Sequence, residues 1–288
     1  MRYLDRMWQR STLQLLRFHF SLFLLPVFLF ALSQVSRPYT GKALLLFFIW
    51  HLLVYPASNG YNSYMDRDVS PIGGLKKPLQ PSRELFYVTV LMNALAIVLA
   101  ISVSVSFAAW VTVYILASQA YSWRGIRLKK YPVIGFLTVF IFQGAVVYLA
   151  TYNALEGKLP SYLPPLIASL LIGALYPLTQ IYQHEADRAD GVTTISYLAG
   201  KRGSFILSGV LFGAATAALF FFLRGQNKEE QFYIFLLCTA PVVLFFVYWM
   251  VAVWRNEKKA SFQNSLAMNL VATLCTTVYF SIILILNH

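Results

Sequence analysis

Apolar residues in this chain come in long uninterrupted blocks, with polar and charged residues gathered in short stretches between them. A helix that crosses a bilayer needs about 20 mostly apolar residues. Nine blocks meet that requirement, at about 13–35, 41–66, 84–104, 106–122, 133–153, 162–186, 203–223, 231–254 and 265–286. The third and fourth are divided only by a tight turn near Val103 to Phe107. No stretch carries the alternation of a membrane β-barrel strand. The pattern predicts an all-α integral membrane protein, a nine-transmembrane-helix bundle in one domain over 1–288 with no soluble domain attached.

Composition agrees with this reading. Hydrophobic residues make up 58% of the chain and charged residues 12%, about half the charged share of a soluble domain. Cys238 and Cys275 both lie inside apolar blocks and suggest neither a disulfide framework nor a metal site. The formal net charge is +12, and its distribution explains it. With the N-terminus inside, Arg2, Arg6 and Arg10 and the loops after the even-numbered blocks hold most of the Lys and Arg. Only Arg37, Lys42, Lys158, Arg224 and Lys228 fall outside. This is a strong positive-inside bias. It predicts a multi-pass protein of a bacterial cytoplasmic membrane whose N-terminus and functional loops face the cytoplasm. Nucleic acid is excluded as a partner, because the membrane already accounts for the charge.

Polar chemistry gathers at the cytoplasmic ends of the second and sixth blocks. Ionisable groups at such positions are costly and mark functional sites. The first stretch runs from Ser58 to Ser70. Asn62 and Asp66 share a helical face, and Asp68 joins them only if the helix ends near Asp66. Pro71-Ile72-Gly73-Gly74 provides a stop. The second stretch runs from Gln180 to Thr194, where Gln183 and Asp187 repeat the spacing, Asp190 follows, and Gly191 offers a helix end. The two stretches form a weak internal repeat of the kind found in duplicated bundles. Carboxylate and amide oxygens suit Mg²⁺ bound together with substrate phosphates. A third stretch, Tyr121 to Lys130, sets Arg124, Arg127, Lys129 and Lys130 beside aromatics and can clamp phosphate. Together these imply a ligand with a diphosphate head and an apolar tail. His51, three turns before Asn62, reads as an interior hydrogen-bonded residue, and His184 does not share the Gln183 face.

These three stretches and a fourth at Lys77 to Arg83 resemble the motifs of the UbiA superfamily of intramembrane prenyltransferases. The family's Asn-x3-Asp-x3-Asp is similar to Asn62-x3-Asp66-x3-Ser70 with Asp68 between. Its Arg-Pro-Leu is similar to Lys77-Pro78-Leu79, followed by Arg83. Its Tyr-Ser loop is similar to Tyr121-Ser122 through Arg127-Leu128-Lys129. Its Asp-x3-Asp-x3-Gly-x2-Thr is similar to Gln183-x3-Asp187-x3-Gly191-x2-Thr194. The resemblance implies that Asn62, Asp66, Asp68 and Asp187 bind Mg²⁺, with Asp66 and Asp187 indispensable to catalysis. It implies that Asn62, Lys77, Arg83, Tyr121, Arg127, Lys129 and Gln183 contact the diphosphate of an isoprenyl donor. A lipophilic acceptor, often aromatic, would then take the prenyl group within the lipid bilayer. The sequence departs from the family at Ser70 and Gln183, both neutral where acids are expected. Two other readings remain open: a membrane terpene cyclase of the same superfamily, and a non-catalytic lipid-binding or transport protein of the same fold. A cyclase needs an enclosed aromatic pocket, a transferase a second polar pocket for its acceptor.

Overall fold

A computed structural model describes residues 9–288, and among them the chain is helical throughout, with one isolated bridge between Ile72 and Leu75. The helices are α1 (Arg10–Ser33), α2 (Thr40–Asp66), α3 (Arg83–Val103), α4 (Val105–Ser122), α5 (Pro132–Glu156), α6 (Leu163–Gln180), α7 (His184–Ala189), α8 (Ile195–Arg224), α9 (Glu229–Arg255) and α10 (Phe262–Asn287). All except α4 and α7 are long and apolar enough to span a membrane. α4 occupies the fourth expected span, but its Ser, Thr, Gln and Tyr residues lower its apolarity. Arg2 and Arg6 lie outside the described residues.

The tight turn between α3 and α4 consists of Ser104 alone, extended at φ −173°, whose Oγ accepts the Phe107 amide at 3.0 Å. That capping bond satisfies one of the orphan donors at the start of α4. The sixth expected span is shorter than its apolar block. α6 ends at Gln180, the chain turns through 181–183, and α7 begins as a separate short helix. The seventh starts earlier than its block, at Ile195, and breaks at Gly200, where φ 71° is left-handed. Such a dihedral costs glycine little and other residues more.

Burial separates interior from peripheral helices. In its most apolar stretch α6 is 61% buried, whereas α3, α8 and α9 are each 22% buried. α6 is therefore the central post, and the outer helices present Leu, Val and Phe to hydrocarbon, as residues such as Leu237, Leu244 and Leu274 do. α5 presses on α6 at Gly144, where an added Cβ would lie 2.3 Å from the Ser169 Cα. Small residues permit this backbone approach, which replaces hydrophobic drive as the source of packing energy in lipid. The core is aromatic: Trp50 packs on Tyr55, Phe107 and Tyr114, and Phe30 stacks on Phe280. His51 is fully buried, with Nδ1 3.1 Å from the Ser21 carbonyl, the interior role read from its position.

Candidate functional site

The site forms where helices stop. α2 ends at Asp66 because Arg67 adopts the left-handed conformation (φ 55°) and its amide closes on the Ser63 carbonyl at 3.0 Å. The helix does not continue, so Asp68 lines the same cavity as Asn62 and Asp66. The following loop turns back through paired amide–carbonyl bonds between Ile72 and Leu75 (2.9 and 3.0 Å). The second half is built by α7. Gln183 precedes it, and the Asp187 amide donates to the Gln183 carbonyl at 2.8 Å. The two residues thus stay one turn apart, although on a separate helix from α6. Both line the cavity.

Direct contacts join the halves. Gln183 Nε2 donates to the Pro71 carbonyl at 3.2 Å, a bond that a carboxylate could not donate. Asn62 Nδ2 donates to Ser122 Oγ at 2.9 Å. The basic loop between α4 and α5 ties both acidic stretches together. Lys129 pairs with Asp66, Arg127 Nη2 lies 3.6 Å from Asp66 Oδ1, and Arg127 also grips Asp190 through its carboxylate and its carbonyl (3.1 Å to the latter). Arg124 Nε donates to the Met65 carbonyl at 2.8 Å and Nη1 lies 3.5 Å from Asp190 Oδ1. Asp190 therefore caps α7 as a partner for the basic loop.

The resulting cavity has a volume of about 210 Å³ and includes Asn62, Asp66, Asp68, Tyr121, Lys129, Gln183 and Asp187 in its wall. Arg127 sits just behind, 8% exposed. Lys77 and Arg83 do not reach this wall: both are exposed, on the loop and at the start of α3. The loop docks on α1 and so carries its Lys77 outward, with the Lys77 carbonyl accepting from Gln14 Nε2 at 3.3 Å. A second chamber of about 150 Å³ shares Phe20, Ser58, Asn59, Tyr114, Gln143 and Tyr176 with the first. Its polar wall groups are uncharged hydroxyls and amides, including Thr179, Asn269 and Thr273. A third, about 280 Å³ and almost wholly apolar, continues from Phe23, Ile172 and Leu175 down to Phe30 and Phe280.

Charge is concentrated in the first chamber. Burial pushes the Asp187 carboxyl up to about 7; Lys129 opposes the shift, and Asp68, Asp66 and Asp190 add to it. Burial also raises Asp68, with Asp66 adding and Lys129 and Arg17 opposing. Asp66 Oδ1 and Asp187 Oδ2 are buried without a hydrogen-bond partner. Among the described residues no three His, Cys, Asp or Glu side chains form a ready-made metal cage. Mg²⁺ commonly takes one or two carboxylates together with waters and substrate phosphates. His184 turns away from the cavity. Its Nε2 lies 2.8 Å from Ser196 Oγ, which lies 2.8 Å from Ser204 Oγ, and burial followed by Lys201 lowers its pKa to about 4. It pins α7 to the kinked start of α8 as a neutral ring.

The sequence profile of the UbiA prenyltransferase family matches residues 22–272. This chain belongs to that family. Within UbiA relatives, the digeranylgeranylglyceryl phosphate synthase of Methanobrevibacter smithii is 25% identical over 215 residues, 71% of this chain and 74% of that protein. A UbiA homologue from Archaeoglobus fulgidus, solved with DMAPP and Mg²⁺, superposes with a TM-score of 0.72 at 16% identity, covering 95% of this chain and 99% of that one. The same homologue bound to GPP and Mg²⁺ gives 0.70 at 16% identity over 95% and 99%. At these identities the structural likeness is one of fold. Two residues of the cavity wall escaped the sequence reading, Arg17 and Tyr176. Tyr176 Oη meets Tyr121 Oη at 2.5 Å and accepts from Gln180 Nε2 at 2.8 Å. Arg17 had a visible signal, an arginine inside an apolar block.

Proposed function

We propose that the protein transfers an isoprenyl group from a prenyl diphosphate to a small lipophilic acceptor. The observation that carries this reading is the middle chamber between the acid–base chamber and the apolar one, mainly apolar but set with uncharged hydroxyls and amides such as Ser58, Gln143, Thr179 and Asn269. Polar handles beside the diphosphate chamber serve a second substrate, which a transferase has and a cyclase does not. In this reading the diphosphate enters the first chamber, where Lys129 and Arg127 exchange their carboxylate partners for phosphate oxygens. Asp66, Asp68 and Asp187, with Asn62, are the residues that would hold Mg²⁺; the orphaned oxygens of Asp66 and Asp187 and the mutual repulsion of the three carboxylates fit a divalent cation. When bound, that ion neutralises charge on the departing diphosphate. The prenyl tail lies along the apolar chamber. The carbon–oxygen bond to the diphosphate breaks, the allylic cation faces Tyr114, Tyr121 and Tyr176, and the acceptor attacks from the middle chamber.

The A. fulgidus homologue, solved with DMAPP or GPP and Mg²⁺, supports the donor class and the metal. The M. smithii relative is named for a digeranylgeranylglyceryl phosphate product, so acceptors differ within the family and the one here is open to assay. We also read α4 as a ninth span, 1–288 as one domain, and the site as facing the cytoplasm, in line with the basic residues gathered at that end.

The test is turnover of the purified protein with Mg²⁺, prenyl diphosphates of several lengths and aromatic acceptors, with products identified by mass. Asp66→Ala and Asp187→Ala are each expected to abolish magnesium-dependent diphosphate release. Near-wild-type turnover in either variant would sink the site assignment, and a cyclic hydrocarbon formed without acceptor would replace transfer by cyclisation.

A further inference from the structure

The cations of the basic loop are already neutralised. Lys129 pairs with Asp66, Arg127 with Asp66 and Asp190, and Arg124 with Asp190. One cation on the cavity wall makes no such ion pair. Arg17 lies in α1 and faces the first chamber, and its side chain is 5% exposed. Among the described residues no carboxylate comes within ion-pair distance of it. Nη1 donates to the Gly73 carbonyl at 3.1 Å and Nη2 to the Asn59 carbonyl at 3.2 Å, while the guanidinium lies 5.3 Å over the Phe20 ring. Nε is buried with no partner.

A guanidinium presents five N–H donors, of which the two carbonyls occupy two. Neutral carbonyls orient the group but do not cancel its charge. Asp68 and Asp66 act on it only across the chamber; burying a charge with no counter-ion in contact is expensive, and an ionisable group inside a membrane segment calls for a functional partner. α1 also interrupts its helix at this residue, which adopts the left-handed conformation (φ 48°) and so turns its side chain towards the loop and α2.

We propose that Arg17 is an oxyanion-binding residue, a second cationic wall across the chamber from the basic loop. The ligand chemistry is a phosphate or carboxylate oxygen. It belongs either to the diphosphate of the donor or to an acidic group on the acceptor. This inference rests on the transferase reading above. It adds a contact that none of the four motifs contains.

The experiment is calorimetric binding of pyrophosphate with Mg²⁺ to the full chain, with thermal melting recorded for each variant. Arg17→Gln keeps donors for the two carbonyls but loses the charge, and it should weaken pyrophosphate binding about ten- to hundredfold, the range for a lost charge-assisted bond. Arg17→Lys restores the charge without the fork and should recover part of the loss. A second arm titrates benzoate and glycerol phosphate in the presence of saturating pyrophosphate. Arg17-dependent binding of these small anions, with pyrophosphate affinity unchanged, would assign the contact to the acceptor. Wild-type affinity of Arg17→Gln for all three probes overturns the inference alone. So does equal loss in Arg17→Gln and Arg17→Lys accompanied by early melting of both, the signature of a purely structural strut. Absence of pyrophosphate binding in the wild type overturns the transferase reading and this inference with it.

Discussion

Gln183 occupies a motif position where an acid is expected, and its amide does what an acid cannot: it donates to the Pro71 carbonyl and so bridges the two halves of the site. Gln183→Glu should therefore trade one function for another. The metal-free protein loses about 1–2 kcal/mol, the cost of leaving a buried carbonyl unpaired, while the added carboxylate tightens Mg²⁺. Thermal melting with and without Mg²⁺ reads both effects, and a variant that melts higher than wild type without metal would contradict the bridging role. Asp187 gives a pH signature. Its carboxyl is raised from 3.8 to about 7, so its contribution to stability is complete below the unfolded value and is lost as pH rises through about 7. Without Mg²⁺ the melting temperature should fall between about pH 4 and about pH 7 and level off above that, and Asp187→Asn should flatten that fall. Magnesium affinity should move oppositely, rising over the same interval as the proton leaves. At this scale the sequence revealed Asn62, Asp66 and Asp187 by type and spacing. It could not reveal that Lys77 and Arg83 face outward, because the loop's direction is set by its docking on α1. Arg17 was legible as an ionisable residue in an apolar block, and only its burial marks it as part of the site.

The helices owe their site to interruptions. α1 breaks at Arg17, α2 stops at Arg67, α6 yields to α7, and α8 kinks at Gly200. Apolar runs announce spans well, since hydrocarbon requires length and apolarity whatever the details of the backbone. They announce breaks poorly, because a residue entering the left-handed region at Arg17 or Arg67 does so for a local hydrogen bond that no hydropathy pattern records. Close approach is equally silent. Gly144 sits against Ser169, whose Oγ accepts the Ala145 amide at 2.9 Å. Gly144→Ala should cost about 2–3 kcal/mol through forced separation of α5 from α6. Gly157 has nothing within 4 Å of an added Cβ but a φ of 72°, so Gly157→Ala should cost only about 1 kcal/mol of backbone strain. Melting of both variants in detergent tests the contrast, and equal losses would remove the packing argument.

On the scale of the whole molecule, apolar side chains face both the centre and the lipid, and polarity is confined to the chambers and the ends. That distribution was legible from composition and from the placement of Lys and Arg. The division into acidic, neutral and apolar rooms was not, because Ser58, Gln143 and Asn269 come from different helices and look incidental in sequence. The orientation predicts labelling by an impermeant thiol reagent. In intact cells Lys158→Cys should react and Lys76→Cys should react only after permeabilisation, with Cys238 and Cys275 half-buried in α9 and α10. The reverse order would invert the topology.

The ion pairs that knit the basic loop to Asp66 and Asp190 also bear on turnover. On the proposed function, a diphosphate would occupy Lys129 and Arg127 by displacing carboxylates that remain a side chain's length away. Those carboxylates are tethered, always present and never diluted, so they act as built-in rivals to the product. Weak capture would be the cost, and rapid discharge of pyrophosphate after each reaction the return. Removing Asp190 should then slow the enzyme by making it hold its leaving group too long.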